Sequence, residues 1–225
     1  MEPHWRLLFI VISSYLIGSI PTGYLVGKIR FGIDIRTQGS GNIGSTNVLR
    51  VLGAKWGFLV QFVDIIKGTT AVMLATVIND HWFMPSMTSI LDDTVTLRII
   101  AGSFSVVGHI FSVFTRFKGG KGVNTSLGML LAIAPVDVGV AAACFFVLLF
   151  TTGFVSLGSI VGAVIVPLSV FVRHHVFGAE IIGYDILQPF LGIVAAIVIF
   201  AHRGNVVRLL NGTENRFEKV RIFKR

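Results

Sequence analysis

The stretch VNTSLGMLLAIAPVDVGVAAACFFVLLF, residues 123–150, is apolar over most of its length and carries one formal charge, Asp137. It continues almost directly into a second apolar run, 154–172. Between Lys121 and Arg173, Asp137 is the only formally charged residue. A soluble domain has roughly a quarter of its residues charged. This chain of 225 residues has 13% charged and 53% hydrophobic residues, with a mean hydropathy of +0.81. Apolar blocks separated by short charged segments read as an integral membrane protein. Cys144 lies inside the apolar stretch, so no disulfide framework exists within one chain, and it reads as a small buried hydrophobe.

Counting outward from 123–150 sets the topology. A first span over about 5–27 contains Ile20-Pro21, which membrane helices tolerate where neighbouring protein re-satisfies the backbone. It runs straight into a polar loop without a small-residue cleavage site, so it reads as a retained span. Lys28, Arg30, Arg36, Arg50 and Lys55 follow it against Asp34 alone, which places this loop in the cytoplasm and the N-terminus outside. A second span, about 54–79, carries Asp64 and Lys67 at helical spacing, so they can pair. The alternative for Lys67 is snorkelling to the boundary. Residues 80–94 hold three acids and no Lys or Arg, as expected outside; Trp82 and Phe83 resemble interface anchors, and a short amphipathic surface helix fits here. A third span, about 95–115, returns the chain to the basic loop at 116–128.

If 123–150 were one span, the tail with Arg203, Arg208, Arg216, Lys219, Arg221, Lys224 and Arg225 would end outside, against its charge. Splitting the stretch at Pro135, with Asp137 in the turn, removes the conflict. The expected fold is therefore an all-α integral membrane protein. It has seven transmembrane helices, some short, with the N-terminus outside, the C-terminus cytoplasmic and the 173–184 loop outside. Residues 1–225 form a single polytopic domain.

Three polar, glycine-rich stretches then share the cytoplasmic face: RTQGSGNIGSTNVLR (36–50), RFKGGKGVNTSLG (116–128) and HRGNVVRLLNGTENR (202–216). Glycine allows close backbone approach, and successive N–H groups in turns cradle anions. With Arg36, Arg50, Lys118, Lys121, Arg203 and Arg208 added, the inventory suits phosphate groups beside lipid. The net charge of +8 lies beside apolar runs, which favours headgroups or an anionic substrate over nucleic acid. His109 and His202 are candidate proton handlers. No cluster of acids, histidines and cysteines indicates a metal, and no cofactor is expected. Gly39, Gly41 and Gly44 satisfy G-x-G-x-x-G but follow a membrane helix, not a Rossmann strand. The chain also lacks a P-loop, a G-x-S-x-G elbow and a loop His-x4-Asp dyad.

The order and spacing of GSGNIGSTNVLR (39–50), GHIFSVFTRFKGGKGVNTSLG (108–128) and HRGNVVRLLNGTENR, together with SIPTGYLVGK in the first span, resemble the bacterial acyl-phosphate:glycerol-3-phosphate acyltransferase family. The resemblance covers effectively the whole chain. It implies seven membrane helices in the bacterial inner membrane. It also implies acyl transfer from acyl phosphate to glycerol 3-phosphate, giving lysophosphatidate for phospholipid biosynthesis. The essential serine and arginine of the first motif map to Ser40 and Arg50, with Asn42 and Asn47 as the associated amides. The donor-binding loop maps to Gly119, Gly120 and Gly122, with Lys121 as phosphate ligand. The third motif maps to His202, Asn205 and Glu214. Asn124 and Ser45 depart from the family pattern, in which a small apolar residue and alanine are usual.

An acyl phosphate already carries a good leaving group. The expected mechanism is therefore direct attack by the 1-hydroxyl, oriented by Ser40 and His202, with Arg50, Lys121 and the glycine loops holding phosphates. Ser40 as a nucleophile would need a partner base that the sequence does not place. The partners expected are the two substrates and membrane lipid; any oligomeric partner is left open. A transporter of a phosphorylated metabolite is the alternative reading. It would spread polar determinants through the bilayer from both sides, whereas here they gather in the cytoplasmic loops.

Overall fold

The computed structural model describes residues 5–82 and 94–216. Of the expected 80–94 loop, residues 83–93, with Phe83 and any surface helix, lie outside the described residues; 80–82 instead close a helix that starts at Ala54, and Thr94 opens the next. The tail beyond 216 lies outside the described residues as well. The described chain is helical, with α1 (Trp5–Ser19), α2 (Thr22–Phe31), α3 (Ser45–Leu52), α4 (Ala54–Trp82), α5 (Thr94–Ile110), α6 (Val123–Ile133), α7 (Pro135–Thr152), α8 (Val155–His175), α9 (Tyr184–Ala201) and α10 (Arg203–Leu210). Five segments are long and apolar enough to cross a membrane: 54–79, 94–115, 135–152, 155–175 and 184–201. The pair α1 and α2 makes a sixth if its two halves are one span.

The break at Pro135 is present. Ala134 leaves helical geometry, and Pro135 opens α7 at a position where its missing N–H costs nothing. Asp137 is not in the turn, however. It lies in the first turn of α7, buried, accepting hydrogen bonds from Ser169 (2.7 Å) and Arg173 (2.8 Å) on α8. A carboxylate surrounded by apolar helices is retained where a cation and a hydroxyl neutralise it. α6 has 11 residues, which gives about 16 Å of helix against a hydrocarbon core of about 30 Å. The first span also differs from the expected single helix. It bends by 41° between α1 and α2, because Pro21 lacks an N–H and its ring disrupts the preceding turn.

The chain divides into two compact units, Met1–Ile133 and Ala134–Arg225. In the first, α1 packs on α5, and α4 packs on α1, α5, α6 and α3. Ile10, Ala75, Ile78, Leu97 and Ala101 form one core between α1, α4 and α5. Ile35, Ile43, Val48 and Val60 form another beneath the first polar loop. Without a strong hydrophobic drive inside lipid, membrane helices associate through close packing at small residues. Two crossings show this reciprocally. A Cβ on Gly18 would collide with the Ser105 carbonyl and one on Gly108 with the Tyr15 carbonyl; Gly68 and Gly128 stand likewise against the carbonyls of Thr125 and Ile65. In the second unit, α7 packs on α8, α8 on α9, and α10 against both α8 and α9.

Gly128→Ala therefore pushes a methyl into backbone that cannot yield, with an expected loss of about 1–3 kcal/mol. It should lower the unfolding midpoint of the detergent-purified protein by several degrees. Gly139→Ala, with nothing within 4 Å of the added carbon, should leave that midpoint unchanged.

Candidate active site

The first polar stretch is a loop closed by one side chain. Asn47 sits in the first turns of α3, 2% exposed. Its amide nitrogen donates to the carbonyls of Ile35 (3.3 Å), Gln38 (3.0 Å) and Asn42 (2.9 Å), and its oxygen accepts the Ser40 backbone N–H (2.8 Å). A loop that would otherwise bury unpaired backbone groups is thereby satisfied from a single residue. Gly39 has φ +57°, and a Cβ there would strike the Asn47 oxygen, so glycine is required for this closure. Asn42 takes the Gly44 N–H through its side chain (2.8 Å), an Asx turn that leads into α3. The result leaves the Ser40 side chain exposed, with no hydrogen-bond partner for its hydroxyl among the described residues.

The cations of this unit divide into used and unused. Arg36 is held by Asp34, with Nη2 2.6 Å from Oδ2 and Nε 2.9 Å from Oδ1, and it stacks over Tyr24. The Arg36 side chain, then its backbone N–H, hydrogen-bond to Asp34 and pull that carboxyl down to about 2. Arg50, on the exposed face of α3, makes no side-chain hydrogen bond or ion pair among the described residues. The same holds for Lys118 and Lys121. These three are positive groups available to an anion.

The second loop folds back on the end of α5. Arg116 and Phe117 both occupy left-handed backbone (φ 55° and 61°), which side chains disfavour, and this reversal brings Gly119 and Gly120 beneath the helix end. The Gly119 N–H donates to the Ile110 carbonyl and the Gly120 N–H to the His109 carbonyl, each at 3.0 Å. Those two donors are spent on α5. Gly122, with φ +78°, turns the chain into α6. The Asn124 amide donates to the Ser45 hydroxyl at 2.9 Å, so the second loop is tied to the start of α3. These two residues stood out in the sequence only as departures from a pattern; the structure makes them partners.

In the second unit, His202 ends α9 and precedes α10. Its Nδ1 lies 2.8 Å from the Val198 carbonyl. A carbonyl can only accept, so Nδ1 carries the hydrogen, and Nε2 makes no hydrogen bond among the described residues. α10 starts at Arg203 and closes near Gly212 in left-handed backbone (φ +70°). Glu214 reaches back over it. Its Oε1 accepts from the Asn205 amide and the Ser156 hydroxyl, both at 2.8 Å, and its Oε2 accepts from Arg208 Nε at 2.7 Å. The Asn205 bond, then those from Ser156 and Arg208, hold this carboxyl below the usual carboxylate range. Ser156, from α8, had no signal in the sequence, since one serine in an apolar helix reads as packing.

Among the described residues no group of three His, Cys, Asp or Glu is arranged to hold a metal. The glycerol-3-phosphate acyltransferase family model matches residues 8–212. The chain is 42% identical to the glycerol-3-phosphate acyltransferase of Chlorobium limicola, over 93% of this chain and 96% of that protein. It is 43% identical to that of Chlorobaculum parvum, over 93% and 95%. It also resembles the crystal structure of PlsY (YgiH), an integral membrane glycerol 3-phosphate acyltransferase. The glycerol 3-phosphate form gives a TM-score of 0.68 at 36% identity, covering 95% of this chain and 96% of that one. The lysophosphatidic acid form gives 0.68 at 35% identity, covering 94% and 95%. With motifs, helical architecture and near full-length similarity in agreement, the chain belongs to the glycerol-3-phosphate acyltransferase family, multi-pass integral membrane enzymes of phospholipid synthesis.

Proposed function

We propose that this acyltransferase uses acyl phosphate as donor, acylates the 1-hydroxyl of glycerol 3-phosphate, and releases lysophosphatidate and inorganic phosphate. The reading extends to seven spans, with α6 and α7 crossing separately, the N-terminus outside, and the C-terminus and active site cytoplasmic, in a bacterial inner membrane. The observation that carries the substrate assignment is the set of unpaired cations at Arg50, Lys118 and Lys121, beside a first loop that Asn47 closes and a second that folds back on α5. Such groups suit a doubly charged substrate phosphate.

In the proposed mechanism Arg50 grips a phosphate bidentately and Lys121 acts as a mobile point charge. Ser40, kept in place by Asn42 and Asn47, orients the acceptor hydroxyl, and in the second unit His202 is the residue that the motif assigns to the same task. Gly119, Gly120 and Gly122 let the donor loop fold tightly enough to present Lys121. The 1-hydroxyl oxygen attacks the acyl carbonyl carbon, the bond from that carbon to the phosphate oxygen breaks, and the proton passes to a phosphate oxygen. Direct transfer is supported by the absence, among the described residues, of any base hydrogen-bonded to the Ser40 hydroxyl. Glu214, with both oxygens engaged, acts by positioning Asn205 and Arg208.

Purified protein given palmitoyl phosphate and glycerol 3-phosphate should form lysophosphatidate, and palmitoyl-CoA should not substitute. Product from the thioester alone would overturn the donor assignment, and no product from an intact preparation would favour transport. Radioactive palmitoyl phosphate without acceptor should leave Ser40 unlabelled. Arg50→Lys should lower kcat/KM about ten- to hundredfold, the scale of a lost charge-assisted hydrogen bond.

Glu214 has a depressed folded-state pKa, so its contribution is present above the ordinary carboxylate range and is lost as pH falls through the folded value. Glu214→Gln should therefore lower the unfolding midpoint at pH 7. The gap to wild type should stay constant down to about pH 5 and narrow only below the ordinary carboxylate range.

A further inference from the structure

Beneath the second loop lies a buried polar cluster that the proposed mechanism does not use. Asp64, Lys67 and His109 are 1%, 4% and 5% exposed. Asp64 Oδ1 accepts from the Thr22 hydroxyl at 3.0 Å and pairs with Lys67 Nζ at 2.9 Å. Lys67 Nζ also donates to the Ile20 carbonyl at 2.9 Å, at the break between α1 and α2. His109 Nδ1 faces the same Asp64 oxygen at 3.8 Å, too far for a hydrogen bond, and has no other partner. A histidine kept only as core filling would be expected to have its buried nitrogen satisfied.

The other side of the imidazole faces the loop. A Cβ on Gly120 would collide with His109 Nε2 and come within 3.0 Å of both Cδ2 and Cε1. On Gly119 it would collide instead with the His109 carbonyl oxygen. The His109 carbonyl also receives the Gly120 N–H. His109 therefore determines, through ring and carbonyl together, how closely Gly120 can approach α5. Lys121, the proposed phosphate ligand, is the next residue.

We propose that His109 is a positioning residue for the donor loop: its imidazole and carbonyl set the height of Gly120 and hence of Lys121, and the Asp64–Lys67 pair backs the ring from behind. This rests on the reading that residues 119–122 bind the acyl phosphate. The two glycines then serve different partners. The obstacle at 120 is a side chain and can be removed by mutation; the obstacle at 119 is backbone and cannot.

The experiment is a pair of double-variant cycles on the detergent-purified full chain, reading both KM values, kcat and the unfolding midpoint. Gly120→Ala should raise the KM for palmitoyl phosphate at least tenfold, with the KM for glycerol 3-phosphate within twofold. Adding His109→Ala should bring that donor KM back at least threefold and recover part of the midpoint. His109→Ala added to Gly119→Ala should recover neither. If Gly120→Ala folds only in the presence of His109→Ala, that recovery supports the proposal in the same way. A Gly120–His109 double variant no better than the product of its singles would overturn it, while a raised donor KM in the glycine singles would still support the loop reading. Recovery of the midpoint with the donor KM unmoved by every variant would overturn the loop reading, and with it the donor-positioning role of His109.

Discussion

Lys67 places one ammonium between the Asp64 carboxylate and the carbonyl that the chain break at Pro21 exposes, with 2.9 Å to each. Both groups are taken from water, which is tolerable only because they face each other and the Thr22 hydroxyl and the Ile20 carbonyl add a hydrogen bond to each. Removing one partner of such a pair costs about 3–5 kcal/mol, because the survivor is left charged and buried. Lys67 does not snorkel; it is 4% exposed. Through this pair α4 is tied to the bend between α1 and α2, and through His109 the cluster touches the end of α5. The bend gives Gly23 its position against the Ile43 carbonyl, at the base of the first polar loop.

Two of the three polar stretches are built by one device. A side chain with several hydrogen-bonding positions spends all of them on its own neighbourhood: Asn47 on Ile35, Gln38, Asn42 and Ser40, and Glu214 on Asn205, Ser156 and Arg208. Neither is well placed to exchange protons or grip a substrate, since doing so would break bonds that shape the loop. What they leave over is chemically informative. The Ser40 hydroxyl, Arg50 and Lys121 keep their polar groups uncommitted on exposed positions. A phosphate or hydroxyl engages such groups without first breaking a bond within the protein.

Similarity of residue type concealed these differences of role. Arg36 and Arg50 bracket the first motif symmetrically in the sequence, yet Asp34, two residues before Arg36, captures it at 2.6 Å while Arg50 stays uncommitted. Gly119 and Gly120 read as one phosphate nest, but their N–H groups serve the last carbonyls of α5. A pattern of residue types reports which donors exist. It does not report which of them the backbone has already consumed, because that depends on groups brought near by folding.

The sequence by itself determined the membrane environment, the positions of the long apolar helices, the break at Pro135 and the three motifs that mark the family. Each of these depends on local properties: apolar length, the missing N–H of proline, and glycine spacing. Only the tertiary structure decided that Asp137 pairs with Arg173, that Asn124 meets Ser45 and that His109 lies under Gly120. These partners are 36, 79 and 11 residues apart, respectively. Tertiary packing sets which of these residues meet, and no single segment carries the information about where its neighbour's side chains arrive.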